Sequence, residues 1–339
     1  MKIRPIEKWR HVPRRDGIET TAFGPVPSRR LGQSLGINNI PPKHCSYSCV
    51  YCQVGRTVEM HVARRKFYDP VRIFHDVEKK AKDARQNGEL IDYLSFVPDG
   101  EPTLDRNLGQ EIRHLRTLGP RLAVITNASL LWRKNVRRDL SEADWVSLKI
   151  DALGQDVWRR VNRPHGSLEL TQILEGILDF GHDYEGELTT ETMLVQGIND
   201  HQEEIERISD FIVKIKPTKS YIAIPIRPPA EKWVRPPTEF SINMAFQVFS
   251  RKSLPVEYLI GYEGNAFAFT GHVEEDLLSI TAVHPMREEA VREFLQKAGA
   301  GWGLVDQLID DDKLVEVQYE GNIYFMIKLD NRSHMVSRP

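Results

Sequence analysis

Cys45, Cys49 and Cys52, in the stretch CSYSCVYC, are the three cysteines of a 339-residue chain. The spacing C-x3-C-x2-C gathers all of the thiol into one short polar loop, and a thiolate is both a nucleophile and a soft metal ligand. Three readings compete for such a cluster. Structural zinc normally takes four protein ligands, usually as two separated pairs. A zinc site here would need His44, which abuts Cys45, and adjacent residues rarely point at one ion. Inert buried cysteines fit poorly with a loop that follows Pro41-Pro42-Lys43. An iron–sulfur cluster on three thiolates leaves one iron without a protein ligand, open to a small molecule. That reading accounts for three cysteines rather than four.

Other polar residues recur at the ends of β-prone runs. SFVPDGEPTL carries Gly100-Glu101-Pro102-Thr103, where glycine admits close backbone approach and a carboxylate suits an ammonium. A lone Gly-Glu-Pro is otherwise a surface turn. The next run ends in Thr126-Asn127, and the one after carries Lys149 and Asp151, which would equally make a structural ion pair. A further run leads into Gln196-Gly197-Ile198-Asn199. Arg227 stands before Pro228-Pro229, and Arg29-Arg30 lies in a Pro/Gly stretch. Each of these arginines is an ordinary solvated charge unless a site forms beside it.

The runs that position these residues are 34–40, 92–97, 122–126, 145–150, 188–195 and 220–226, with a last strand at 256–260. Helical patterns fall between them, at 70–88, 106–118, 131–140, around Leu170–Leu178, around Ile205–Ile215 and at 239–252. Asp69-Pro70 is an N-cap followed by an N1 proline, and Val71, Phe74, Val77, Ala81 and Ala84 keep a period of about 3.6. Six strand–helix pairs in strict alternation predict an α/β fold, a parallel sheet with helices outside and a working face at the C-terminal strand ends. Periodicity leaves open whether the sheet closes. Beyond residue 270 come helices at 274–282, 287–298 and 302–310, then KLVEVQYEGNIYFMIKL, which alternates and turns at Glu320-Gly321-Asn322 as a β-hairpin. That order suggests a winged-helix-like module over 271–330.

Composition sets outer bounds. With 40% hydrophobic and 28% charged residues the chain reads as globular. No apolar run approaches the roughly 20 residues of a membrane span. The N-terminal MKIRPIEKWRHVPRRDG has no signal-peptide character, so a reducing cytoplasmic setting and no membrane are expected. Charge is uneven. Residues 271–339 hold 13 acidic and 7 basic side chains, against 35 and 39 in residues 1–270. The basic N-terminal extension, 1–21, and the clusters at 64–66 and 133–138 would suit phosphates. The acidic GWGLVDQLIDDDK would repel them.

C-x3-C-x-aromatic-C, with Tyr51 as the aromatic, resembles the signature of the radical S-adenosylmethionine (radical SAM) superfamily. The resemblance spans residues 22–265 and implies a partial (β/α)6 barrel. It implies that Cys45, Cys49 and Cys52 hold a [4Fe–4S] cluster whose fourth iron is chelated by SAM. Reductive cleavage of SAM would then give a 5′-deoxyadenosyl radical that takes hydrogen from substrate. Gly100-Glu101-Pro102 is similar to the family's "GGE" element, with Asp99 in place of its first glycine. Tyr51, Thr126, Asn127, Lys149, Asp151 and Gly197 then join the cofactor-binding set, and Arg29, Arg30 and Arg227 become substrate contacts. An electron donor such as flavodoxin or ferredoxin is implied. Residues 24–57 also resemble iron–sulfur oxidoreductases distantly related to the enzymes of wybutosine (tRNA wyosine) synthesis. Three functions follow: an enzyme acting on RNA or a small metabolite, an enzyme acting on a protein docked through the C-terminal module, and a metal-binding protein without catalysis. With three cysteines, a second cysteine-ligated cluster is not expected.

Overall fold

The computed structural model describes residues 21–261 and 263–328. The basic extension therefore lies outside the described residues, except for Thr21, as do residues 329–330 at the end of the proposed module. Eight strands form one sheet in chain order: β1 (Ala22–Ser28), β2 (Gly32–Ile37), β3 (Tyr93–Phe96), β4 (Arg121–Thr126), β5 (Trp145–Lys149), β6 (Glu187–Met193), β7 (Lys219–Ala223) and β8 (Val256–Leu259). From β2 onward every neighbouring pair is parallel, with Leu35 opposite Leu94 and Lys149 opposite Glu191. Only β1 runs antiparallel, as a hairpin with β2.

Each of β2 to β7 is followed by helix: α1 (Pro70–Gln86), α2 (Leu108–Leu115), α3 (Lys134–Leu140), α4 (Gln155–Val161) with α5 (Leu170–Asp183), α6 (Gln202–Ile215) and α7 (Glu239–Arg251). Asp69 caps α1 as its position implies, its side chain accepting from the Val71 N–H at 3.0 Å. The apolar faces of these helices and the outward-facing strand residues, among them Leu94, Leu122, Val146, Leu188 and Ile222, make the main core. The opposite face curls on itself. Leu31, from the β1–β2 turn, is buried with Ala123, Trp145, Tyr221 and Leu259, side chains of β4, β5, β7 and β8 that meet inside the curve. The sheet is an open half-barrel, with the β1–β2 turn plugging its lower end.

Two of the barrel's labelled elements escaped the sequence patterns. β1 reads AFGPVPS, and its two prolines are tolerable only because it is an edge strand carrying a bulge. Helix α4 is seven residues, too short to show a period.

The C-terminal part runs α8 (Val273–Thr281), β9 (Met286–Arg287), α9 (Glu288–Lys297), α10 (Gly303–Asp310), β10 (Leu314–Tyr319) and β11 (Asn322–Ile327), with β11 central in a three-stranded sheet. Tyr319 pairs with Asn322, so Glu320 and Gly321 alone make the turn, both with positive φ as a type I′ loop demands. Its core is shared with the barrel, since Phe23 and Val26 of β1 pack with Leu277, Phe294 and Phe325. No helix among the described residues is long and apolar enough to cross a membrane.

Candidate active site

The cysteine loop is clamped at both sides by backbone. On one side Lys43 N–H donates to Asp99 O at 2.8 Å, and Glu101 N–H donates to His44 O at 3.0 Å. On the other, Ser48 N–H reaches Asn162 O at 3.0 Å, Val50 N–H reaches Val161 O at 3.0 Å, and His165 N–H reaches Ser46 O at 2.9 Å. The apolar residues between the cysteines are the loop's anchors. Tyr47, Val50 and Tyr51 are buried, and Trp158 Nε1–H donates to the Tyr47 hydroxyl at 3.1 Å. The three cysteines remain half-buried.

Two asparagines aim amide N–H groups at sulfur. Asn127 Nδ2 lies 3.5 Å from Cys45 Sγ, and Asn162 Nδ2 lies 3.4 Å from Cys49 Sγ. The Tyr47 backbone N–H is also 3.5 Å from Cys45 Sγ. Burial pushes the Cys49 thiol up to about 12 and raises Cys45 well above the usual thiol range, with Glu101 adding to the effect at Cys45. Burial also raises Cys52, against the pull of Lys43. Thiols in this state bind metal only by releasing protons, and the N–H donors then stabilise the thiolates.

Glu101 is buried and takes four donors. Its Oε1 accepts from Thr103 N–H at 3.0 Å and from the hydroxyls of Thr103 and Thr126, each at 2.6 Å; its Oε2 accepts from Asn127 N–H at 2.8 Å. Among the described residues no cation is recorded in an ion pair with it, and burial raises its carboxyl above the ordinary range. Oε2 retains lone-pair capacity, which fits an ammonium. Pro102 and Thr103 are buried in the short turn that follows. Gly100 lies where this turn meets the cysteine loop, and a Cβ there would sit 2.0 Å from His44 O.

Across the site Asp151 accepts from the Tyr51 hydroxyl, from Asn162 Nδ2 at 2.7 Å and from Met193 N–H at 2.9 Å. Lys149 does not pair with Asp151. Its Nζ donates to Glu191 at 2.7 Å and lies 5.0 Å from the Tyr51 ring centroid. Asn199 Nδ2 donates to Asp151 O and Met193 O, both at 2.8 Å, and so ties the end of β6 to the site. Gly197 is exposed and bonds Asp200 and Arg160, away from this group.

The three arginines fare differently. Arg29 and Arg30 lie in the turn between β1 and β2. Arg29 is exposed, whereas Arg30 reaches inward to pair with Glu191. Arg227 is engaged by Gln53 Oε1 at 2.7 Å, by His284 Nε2 at 3.1 Å and by Glu263. It ties the residue after Cys52 to the C-terminal part rather than standing free on a turn. Sequence reasoning passed over Asn162 and Glu191, and quoted Asn199 only within the segment 196–199, without a role of its own. Of the three, Asn199 alone had a positional signal, two residues past Gly197 after a strand.

His44 is used elsewhere, its ring packing edge-on to His61 and Phe67 beside Arg65. Among the described residues no three His, Cys, Asp or Glu side chains converge on a single ion. A four-iron cluster does not ask for convergence, because each thiolate meets a different iron.

The radical SAM superfamily profile matches residues 39–212. The UPF0026 protein MJ1312 of Methanocaldococcus jannaschii is 46% identical over 322 residues, covering 94% of this chain and 100% of that protein. A UPF0026 protein of Synechocystis sp. is 38% identical over 208 residues, 61% of this chain and 76% of that one. A radical SAM methyltransferase from Sphaerobacter thermophilus shares the fold, with a TM-score of 0.51 at 13% identity over 67% of this chain and 66% of that chain. The chain belongs to the radical SAM superfamily and, within it, to the UPF0026 family. It is an enzyme of the class that uses a [4Fe–4S] cluster and SAM.

Proposed function

We propose that Cys45, Cys49 and Cys52 hold the cluster and that Glu101 receives the SAM ammonium. The arrangement that carries this reading is the paired set of amide donors on two cysteine sulfurs, with a buried carboxylate that has no cationic partner among the described residues one residue-link away through Asn127. The cluster and SAM together supply reductive cleavage and a hydrogen-abstracting radical. The chain's own work is positional. Asn127 and Asn162 hold the sulfurs, while Gly100, Pro102 and Thr126 fix Glu101. Asp151 orients Tyr51 within the cysteine loop, and Asn199, with Gly197 in the turn before it, ties the end of β6 to the site where the cofactor would sit. Lys149 and Arg30, balanced on Glu191, line the half-barrel as groups for substrate or SAM carboxylate.

For substrate, the reading best supported is RNA modification. It rests on the basic residues of the first 270 positions and on the resemblance of residues 24–57 to enzymes distantly related to wybutosine synthesis. A second reading, a protein substrate met through a winged-helix-like module at 271–330, is favoured by the acidic surface there: Asp306, Asp310, Asp311 and Asp312 crowd α10 and its end. Salt-sensitive tRNA binding would select the first reading.

The deciding experiment uses protein purified without oxygen and reconstituted with iron and sulfide. SAM and dithionite are added, and 5′-deoxyadenosine is measured against a Cys49→Ala control. Wild type is expected to form the nucleoside and the control none. Bound zinc with no cluster would sink the proposal.

A further inference from the structure

The three sulfurs of the cysteine loop do not share one kind of neighbour. Cys45 has the Asn127 amide and the Tyr47 backbone N–H, both at 3.5 Å, and Cys49 has the Asn162 amide at 3.4 Å. Cys52 takes the Val54 backbone N–H, and among the described residues no side-chain amide is recorded on it. Charge acts there instead. Of the charged side chains, Lys43 acts on Cys52 most strongly, opposed by Asp99 and joined more weakly by Lys149.

Backbone holds Lys43 in that place. Its N–H donates to Asp99 O at 2.8 Å. The segment after Cys52 turns, with Gly55 N–H on Cys52 O at 3.1 Å, and returns to Lys43 O, which accepts from Val58 N–H at 3.2 Å and Glu59 N–H at 3.0 Å. Lys43 takes φ 65°, a left-handed conformation that residues other than glycine keep only where their surroundings impose it. The side chains of Lys43 and Asp99 are both buried, and Nζ lies 3.1 Å from Asp99 Oδ2 without the alignment of a hydrogen bond. An ammonium has three donors, so this contact does not exhaust it. As a clamp between turn and loop the pair adds little, because desolvating two charges offsets most of their attraction and apolar side chains would hold as well. Buried charges have a clearer use beside a group whose own charge changes. Asp99 is also the residue that stands in place of the first glycine of the "GGE" element.

We propose that Lys43 raises the reduction potential of the cluster from beside Cys52, with Asp99 holding the ammonium in place and moderating its effect; the inference rests on the assignment of the cluster to Cys45, Cys49 and Cys52. Reduction adds one electron to the cluster, and no bond or proton moves. The added negative charge is favoured by a nearby cation and opposed by a nearby carboxylate. Burial leaves both effects little screened by salt. Lys43 therefore acts on the electron's equilibrium through its charge, and not on substrate.

The test is a dye-mediated redox titration of full-chain, cluster-reconstituted protein without SAM, with the reduced cluster followed by electron paramagnetic resonance. Asp99→Asn removes the carboxylate and should raise the midpoint. Lys43→Gln/Asp99→Asn removes both charges, keeps polar groups of similar size, and should bring the midpoint below that of wild type, because Lys43 is the stronger of the two. Between the two variants the reduced-to-oxidised ratio at a fixed potential is expected to fall roughly tenfold, about 59 mV for a one-electron couple. Opposite signs separate a charge effect from a loosened loop, which would move both midpoints the same way. Asp99→Asn alone, with its raised midpoint, carries the test if the double variant does not fold. Equal midpoints in variants and wild type would overturn the proposal, and so would shifts of one sign. Absence of any cluster in wild type would instead defeat the assignment on which the proposal rests.

Discussion

Glu101 shows what a single side chain does at this site. Its four donors order the turn after β3 and the end of β4 around one carboxylate, yet none of them brings a full positive charge. A bound ammonium would provide one, as a charge-assisted hydrogen bond of about 1.5–3 kcal/mol. Glu101→Gln preserves volume and lets the two threonine hydroxyls reorient, so the fold should survive. SAM affinity of the reconstituted protein, followed by calorimetry, should fall roughly 10- to 100-fold; unchanged affinity would remove Glu101 from the SAM site. Asp105 and Glu111 are a second buried case, with a different consequence. Burial raises Asp105 to about 7 and lifts Glu111 well above the usual carboxylate range, with Asp139 adding repulsion and Arg64 partly offsetting it at Asp105. A carboxyl raised in the folded state contributes stability that is fully present below its unfolded pKa of about 4 and is lost as pH rises through its folded value. The melting temperature should therefore decline between pH 5 and 8 more steeply in wild type than in Glu111→Gln. Parallel declines would show that the pair does not titrate in that window.

At the scale of elements, the turn at 99–101 and the cysteine loop form one unit. Gly100 adopts φ +153° against His44 O, where a Cβ would meet backbone at 2.0 Å. Gly88, by contrast, has φ +76° with open space around it. Gly88→Ala should cost about 1–2 kcal/mol of backbone strain and leave iron loading intact. Gly100→Ala must in addition push two segments apart, so urea unfolding should show a larger loss together with poor iron uptake. Similar behaviour of the two variants would mean that the loop tolerates displacement. The same unit shows what was legible in advance. The parallel strands and their following helices announced themselves because β-prone runs alternate with a 3.6 period, as in 70–88 and around Ile205–Ile215. β1 was hidden because Pro25 and Pro27 mark a loop anywhere except at a sheet edge, a context that only the fold supplies. Among site residues, the cysteines and Glu101 carry a local spacing. Asn162 and Glu191 do not: one lies at the end of a short helix and the other within a strand, and each acquires its role from what lies 113 or 42 residues away in the chain. Arg227 was misleading for the same reason, since Pro-Pro suggests a presented guanidinium but not the Glu263 and His284 that engage it.

Over the whole molecule, the question is whether the C-terminal part is a module attached to the barrel or a piece of it. The sequence break near 270 favours attachment. The packing argues the other way. Phe23 and Val26 of β1 lie in the core formed by α8, α9 and β11, and Lys80 of α1 is ion-paired with Asp276 of α8, both buried. Further bonds cross at the working face. Tyr319 and Tyr324 hydroxyls donate to Pro225 O at 3.0 Å and Ile226 O at 2.7 Å, and Gln53, next to Cys52, donates to Val283 O at 2.9 Å. Cutting the chain after Gly271 would expose the apolar face of β1, strand an unpaired Lys80 and free the loop beside Cys52. Breaking one buried ion pair alone costs about 3–5 kcal/mol, a large share of the roughly 5–15 kcal/mol that holds a typical domain together. Full-length protein should thus unfold in one transition seen alike by near-ultraviolet dichroism and by tryptophan fluorescence, and the chain 1–271 should aggregate or melt far lower. A soluble 1–271 fragment with the full-length melting temperature and normal iron content would establish the C-terminal part as an independent module, and would return weight to the reading in which it serves mainly to meet a partner.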